Sequence, residues 1–176
     1  IWKGLVGSEM CIRDRFLKTG INTIDAFCTL GYGQRITLLA DAGVGKSTLL
    51  TQIANNADVD LIIFALIGER AREVDALIYS GLSKEAFEKT ILVVSTSDES
   101  SLLKIEAADV ATKIAEVERA KGKNILLLVD SLTRLFRAYR EIGLSTGETP
   151  FQKGYPVSVL SKIPQLIERA GKTKLG

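Results

Sequence analysis

The stretch GVGKST at residues 43–48 lies between an apolar run at residues 35–40 and a helical pattern that begins at Leu49. A strand, a glycine-rich loop and a helix in this order are typical of a phosphate-binding loop. The glycines allow backbone N–H groups to point toward phosphate oxygens, and the N-terminus of the following helix favours a bound anion. The stretch therefore predicts a strand–loop–helix unit that binds a nucleoside triphosphate.

Two side chains carry the chemistry of this predicted loop. Lys46 can reach the β- and γ-phosphates, and the Ser47 hydroxyl is placed to bind Mg²⁺. The general pattern has glycine five residues before Gly45, where this chain has Ala40, and alanine adopts that turn if its φ stays negative. The alternative, a glycine-rich turn that binds nothing, is disfavoured by the Lys-Ser-Thr sequence. The residues predicted to bind the nucleotide are Asp41, Ala42, Gly43, Val44, Gly45, Lys46, Ser47 and Thr48.

The composition favours a globular domain and excludes several classes of site. The chain has 176 residues, of which 46% are hydrophobic and 25% charged, so it can bury one sizeable core. A formal net charge of +2 gives no electrostatic footprint for nucleic acid or for an anionic membrane. The absence of histidine removes imidazole bases and ligands, and Cys11 and Cys28 lack the spacing of a metal site.

The rest of the chain alternates between apolar runs and helical patterns. Strands are predicted at residues 60–67, 91–95 and 124–130, and helices at residues 72–80 and 100–122. Continuous apolar strands that alternate with helices predict an α/β fold, with a mostly parallel sheet and helices on both faces. The second helix is expected to bury one stripe of side chains, which are Leu103, Ala107, Val110, Ile114 and Val117.

Polar residues follow three of the predicted strands, and parallel α/β sheets bind ligands beyond the carboxyl ends of their strands. Lys46 and Ser47 follow the first strand, Glu69 and Arg70 follow the second, and Asp130 ends another. We therefore expect these side chains to meet at the same edge of the sheet.

Each of the acidic residues has two interpretations. Asp130 is expected to anchor Mg²⁺, although it could instead cap the helix that starts near Leu132. Glu69 could orient and polarise an attacking water, or it could be an acidic residue favoured by a helix dipole. Arg70 could contact the γ-phosphate or pair with Glu69, whereas Arg72 is expected on a solvated helix face.

Six stretches of the chain occur in the same order in a known family. They are TGINTID at residues 19–25, GYGQR at 31–35, GERAREV at 68–74, VVSTSDESSLLKIEAA at 93–108, LLLVDSLTRLFRAYREIGLSTGE at 126–148 and KGYPVSVLSKIPQLIERAG at 153–171. With the loop, they resemble the hexameric rotary-type ATPases and, more narrowly, the type III secretion ATPases of bacterial flagellar export and injectisomes. Some members of this family also have alanine where Ala40 stands.

The resemblance implies a RecA-like P-loop NTPase domain that hydrolyses ATP with Mg²⁺ and assembles into a homohexamer. It implies that Lys46 and Ser47 hold phosphate and Mg²⁺, that Glu69 activates water, and that Asp130 is the Walker B acid. Non-catalytic subunits of rotary ATP synthases have glutamine where Glu69 stands, which favours a catalytic subunit here. The implied partners are export-gate, stalk and chaperone proteins, and the implied location is cytoplasmic, peripheral to the bacterial inner membrane.

The first residues look foreign to this family. Residues 5–15 have no strand or helix periodicity and resemble a translated transposase adapter from sequencing-library preparation, and a signal peptide would need an apolar core in place of their charges. We expect residues 1–15 to be non-native and residues 16–176 to be an incomplete domain, without the family's β-barrel, arginine finger and helical domain. Because an arginine finger is worth about 10³–10⁵ in rate, we expect weak ATP binding, negligible hydrolysis and no stable ring from this chain alone.

Three other functions compete with protein export. A catalytic subunit of a proton-translocating ATP synthase is disfavoured by the sequence of residues 154–171. A nucleic-acid motor of RecA-like fold would need basic loops with stacking aromatic residues, and only 6% of the residues are aromatic. A nucleotide sensor without catalysis is disfavoured by Glu69.

Overall fold

The computed structural model describes residues 15–41 and 43–171, so the predicted foreign segment lies almost wholly outside the described residues. The strands are β1 (Phe16–Leu17), β2 (Leu30–Gly31), β3 (Leu61–Glu69), β4 (Thr90–Thr96) and β5 (Ile125–Asp130). The helices are α1 (Asn22–Phe27), α2 (Lys46–Asn56), α3 (Ala71–Ala76), α4 (Lys84–Glu88), α5 (Ser101–Ala120), α6 (Leu132–Ser145) and α7 (Val157–Arg169). A π-helical turn (Leu77–Gly81) follows α3, and a 3-10 turn (Gln152–Gly154) precedes α7.

The centre of the fold is a parallel sheet in the order β4-β3-β5. Ala65 of β3 pairs with Val93 of β4 on one side and with Val129 of β5 on the other. Every residue of β3 after Leu61 is buried, as expected of a parallel strand that is covered on both faces. The three strands predicted from continuous apolar runs are therefore confirmed. β1 and β2 form a separate antiparallel pair.

Helices cover both faces of this sheet because successive side chains of β3 point to opposite sides. On one face Ile63, Ala65 and Ile67 pack in a core with residues of α5, α6 and α7. On the other face Phe64 and its neighbours pack against residues of α2, α3 and the π-helical turn. The predicted fold, a parallel sheet between two helical layers, is confirmed. No helix within the described residues is both long and apolar enough to span a bilayer.

The buried face of α5 differs from the expected one. The helix begins where predicted, with Ser100 as the N-cap whose Oγ accepts a hydrogen bond from the Leu103 backbone at 3.3 Å. Its buried residues are Ala108, Ala111 and Thr112, whereas Leu103, Val110 and Val117 are 47%, 44% and 45% exposed. The expected stripe therefore lies beside the core. Small residues let a helix approach its neighbours closely, and the 3.6-residue period alone does not identify that side.

The apolar run before the phosphate-binding loop is not a strand in the structure. Residues 35–40 have no strand pairing, and within them Ile36 is 46% exposed and Leu39 is 91% exposed. The prediction of a strand here was therefore wrong. A strand forms by hydrogen bonding to a neighbour, and in the described part of the chain β3, β4 and β5 pair only with one another. An apolar run does not specify that partner.

The packing predicts which leucines stabilise the fold. Leu135 of α6 is fully buried in the core, whereas Leu102 of α5 is 62% exposed. Leu135→Ala is expected to lower the free energy of unfolding by about 2–5 kcal/mol, because it removes buried methyl groups and leaves a cavity. Leu102→Ala is the control and is expected to stay within about 0.5 kcal/mol. Urea unfolding measures both, and equal losses would contradict the described core.

Candidate active site

The predicted phosphate-binding loop leads directly into α2, whose first residue is Lys46. Gly43 and Gly45 have φ values of 82° and 94°, and an added Cβ at either position would meet nothing within 4 Å. Glycine is therefore needed at these two positions for the backbone conformation and not for space. Asp41, Val44 and the rest of the loop are largely exposed, so the start of α2 is open to a ligand. Ala42 lies outside the described residues.

A hydrogen bond joins the start of α2 to the carboxyl end of β5. The Ser47 hydroxyl donates to Asp130 Oδ2 at 2.8 Å, and Asp130 is only 4% exposed. Asp130 ends β5, as predicted, and the N-cap of α6 is Ser131, with no side-chain capping bond. The structure therefore supports the interpretation of Asp130 as a partner of the loop over that of a helix cap.

Glu69 is the last residue of β3 and is 8% exposed. Its side chain is held by Arg134 of α6, whose Nε donates to Oε1 at 2.9 Å and whose Nη2 donates to Oε2 at 3.0 Å. α3 begins two residues later, with Arg70 as its N-cap. Glu69 is therefore a buried strand-end carboxylate in an ion pair and not a residue of a helix N-terminus.

The surroundings of Glu69 favour its protonated form. Burial raises the pKa of Glu69 from 4.5 to about 7, and a hydrogen bond with Glu73 and the nearby charge of Asp130 act in the same direction. Arg134 opposes them, and the hydrogen bond with Glu69 lowers the pKa of Glu73. A carboxyl group that titrates near neutral pH can both accept and release a proton, as general acid–base chemistry requires.

Arg70 does not join this group. Its side chain is 60% exposed, and its Nη1 lies 4.0 Å from Glu73 Oε1. Of the two roles considered for Arg70, pairing with Glu69 is not seen, because Arg134 occupies both carboxylate oxygens. Contact of Arg70 with a γ-phosphate stays a prediction. Arg72 is exposed, as expected. The structure brings Lys46, Ser47, Glu69 and Asp130 to the carboxyl-end side of the sheet and leaves Arg70 in solvent.

Sequence reasoning did not identify two residues of the site, Arg134 and Glu73. Arg134 lies four residues after Asp130, and Glu73 lies four residues after Glu69. Each is therefore about one helical turn beyond a strand end, on the same side of the sheet as the strand-end carboxylate. This spacing was the available signal, and it is weak because most residues in a first helical turn face elsewhere.

The donor set at Ser47 and Asp130 fits Mg²⁺. A hydroxyl and a carboxylate oxygen are hard ligands, and Mg²⁺ commonly uses one or two protein oxygens together with water and substrate phosphates. The described residues contain no group of three or more His, Cys, Asp or Glu side chains that could form an all-protein metal cage. The 2.8 Å contact between the two side chains brings the two oxygens within reach of the same cation.

Comparison with known proteins gives consistent similarities. The profile of the ATP synthase alpha/beta family, nucleotide-binding domain, matches residues 20–176. The flagellum-specific ATP synthase of Bacillus subtilis (strain 168) is 47% identical over 165 residues, which are 94% of this chain and 37% of that protein. The type 3 secretion system ATPase of Pseudomonas syringae pv. syringae is 48% identical over 162 residues, which are 92% of this chain and 36% of that protein.

Solved structures agree with these sequence matches. The assembled ATPase EscN of the enteropathogenic E. coli type III secretion system, in complex with its central stalk EscO, matches with a TM-score of 0.90 and 47% identity. That match covers 94% of this chain and 40% of the EscN chain. The family resemblance and the RecA-like fold inferred from the sequence are confirmed. The chain spans 37% of the first of these relatives and 36% of the second.

The raised pKa of Glu69 predicts a pH-dependent stability. Between its usual value of 4.5 and about 7, the folded carboxyl group holds a proton that the unfolded one releases. Raising the pH through this window therefore destabilises the fold. Relative to Glu69→Gln, the wild-type chain is expected to be less stable at about pH 8 than at about pH 5, in urea unfolding at both values. Glu88→Gln, at an exposed position, serves as the control. A difference in the free energy of unfolding between wild type and Glu69→Gln that stays constant with pH would contradict the raised pKa of Glu69.

Proposed function

The chain belongs to the ATP synthase alpha/beta family, and we propose that it carries the catalytic site of an ATPase that powers protein export through a type III secretion apparatus, flagellar or injectisome. The observation that carries this proposal is the hydrogen bond from the glycine-rich loop to one strand-end acid, with a second buried acid at the end of the neighbouring strand. Ser47 donates a hydrogen bond to Asp130, and the buried Glu69 ends β3, the strand beside β5. A phosphate-binding loop without these acids would support nucleotide binding alone.

The residues divide the work of hydrolysis among them. The backbone N–H groups of residues 43–48 and the Lys46 ammonium group bind the phosphates of ATP and neutralise charge that develops on the γ-phosphoryl group. Ser47 and Asp130 would hold Mg²⁺, which would supply positive charge to offset the negative charge of the phosphates. Glu69 orients the attacking water and accepts its proton, because its carboxyl group is buried and titrates near neutral pH.

The relatives support the biological setting of the proposal. Their names include a flagellum-specific ATP synthase and a type 3 secretion system ATPase, and EscN has been solved assembled and bound to a central stalk. We infer that the complete protein that contains this chain forms a ring of identical subunits around a stalk protein. It is proposed to act at the cytoplasmic face of the inner membrane with export-gate and chaperone proteins as further partners. Its substrates would be exported proteins.

Nucleotide binding is tested by Lys46→Ala. Loss of one charge-assisted contact, worth about 1.5–3 kcal/mol, is expected to weaken Mg-ATP binding about ten- to hundredfold. Isothermal titration calorimetry of this chain measures the change. The control is Lys84→Ala, which removes the same charge from an exposed position at the start of α4 and is expected to leave the Kd unchanged. Equal Kd values for wild type and Lys46→Ala would remove the basis for the proposed site.

Hydrolysis is tested by Glu69→Gln, which keeps the shape of the side chain but removes its basicity. The rate constant for γ-phosphate release is expected to fall about 10²–10⁴-fold while the Kd for Mg-ATP changes by less than about threefold. Single-turnover assays of the complete protein that contains this chain, with protein in excess over labelled ATP, measure this rate constant. Hydrolysis that survives in Glu69→Gln but not in Lys46→Ala would show that another group handles the proton.

A further inference from the structure

We propose that Arg134 is the positioning residue for Glu69, whose forked pair of hydrogen bonds fixes the carboxylate plane toward the attacking water. This inference rests on the proposed hydrolytic function and goes beyond it by assigning a role to a residue of α6. Within the described part of the chain, Arg134 forms no hydrogen bond with Ser47 or Asp130, the proposed Mg²⁺ ligands. Its action is therefore assigned through Glu69.

The geometry of the pair is specific to arginine. Nε and Nη2 each donate to a different oxygen of Glu69, at 2.9 Å and 3.0 Å. The terminal torsion of a glutamate side chain is otherwise broad and soft, so a single contact would leave the carboxylate free to rotate. A planar guanidinium group that binds both oxygens removes this freedom, which the point charge of a lysine does not. Two of the roughly four acceptor sites of the carboxylate remain for other donors, including water.

The backbone next to Glu69 is shaped to admit Arg134. Gly68 has a φ of 72°, and the register between β3 and β4 shifts between Ile67 and Glu69. A Cβ on Gly68 would lie 2.9 Å from Arg134 Cδ and 3.3 Å from its Cβ, so only glycine allows the arginine to approach this closely. The turn at the end of β3 therefore directs Glu69 to the carboxyl-end edge of the sheet and leaves space for Arg134.

Stability alone is a poor explanation for this pair. Glu69 is buried beside other acids, and burying an ion pair commonly stabilises a fold no more than an apolar replacement does. The charged groups that face Glu69 are Glu73 of α3, Asp130 at the end of β5 and Arg134 of α6. Two further charged side chains lie nearby, since Arg70 is next to Glu73 and Lys104 of α5 is against Gly68. Of the groups that act directly on Glu69, Arg134 is the one that favours its ionised form, which a proton acceptor requires.

The experiment compares Arg134→Lys, Arg134→Gln and Arg137→Lys in the complete protein that contains this chain. Arg137 is an exposed arginine of the same helix and serves as the matched control. For Arg134→Lys we expect a single-turnover rate constant lower by about 10²-fold, the size of effect that misplacing a reacting group by about 1 Å produces, with the Kd for Mg-ATP within about twofold. Arg137→Lys is expected to match wild type in both quantities.

The pH profile separates positioning from a merely structural role. In Arg134→Gln the pKa of Glu69 is expected to rise by about one to three units, which moves the acid limb of the hydrolysis profile to higher pH by the same amount. A structural role would lower the folded fraction without moving the limb. The carboxyl ¹³C resonance of Glu69, identified by its loss in Glu69→Gln, gives the same pKa without any turnover.

The outcomes distinguish this inference from the proposed function. Wild-type hydrolysis in Arg134→Lys together with inactive Glu69→Gln would overturn the positioning role and leave the ATPase intact. An unchanged Glu69 titration in Arg134→Gln would overturn it as well, with or without turnover. Mg-ATP binding and cleavage that are insensitive to Lys46→Ala and Glu69→Gln would overturn the proposed function, and this inference with it.

Discussion

The hydrogen-bonded pairing of β3 with strands on both of its sides is the constraint on which the rest of the structure depends. It buries all but the first residue of a nine-residue strand and directs the side chains alternately into the two cores. Because β3 and β5 run parallel, Glu69 and Asp130 are delivered to the same side of the sheet. The chemistry of the site therefore follows from the register of a buried sheet and does not require a specialised loop to bring the acids together.

Placing two carboxylates at this edge of the sheet is electrostatically unfavourable, and each of them is stabilised by a different partner. Asp130 accepts a hydrogen bond from Ser47, which also draws the start of α2 toward β5. Glu69 is bound by Arg134, yet burial and the neighbouring acids still raise its pKa to about 7. Asp130 is thus held beside the loop, whereas the pKa of Glu69 lies near neutral pH.

The sequence predicted the local elements well because each leaves a signal within a short window. The apolar run that forms β5 ends at Asp130. Ser100, which precedes a helical pattern in the sequence, is the N-cap of α5. The exposed Leu103 and the unpaired residues 35–40 were not predicted, because both depend on what lies next to them in space. A helix with small residues on one side and larger ones on another can pack on either, and only the neighbouring sheet selects the side.

By itself the sequence determined the three strands of the central sheet, the helices between them and the position of the glycine turns. It also identified Lys46, Ser47, Glu69, Arg70 and Asp130 as candidate site residues. These features follow from local periodicity, backbone preferences and side-chain chemistry, which neighbouring residues encode. The tertiary structure alone decided that Arg134 and not Arg70 holds Glu69, and that burial and Glu73 keep its pKa near neutrality. Residues 69 and 134 are far apart along the chain, and the field at a carboxylate depends on every charge that folding brings around it.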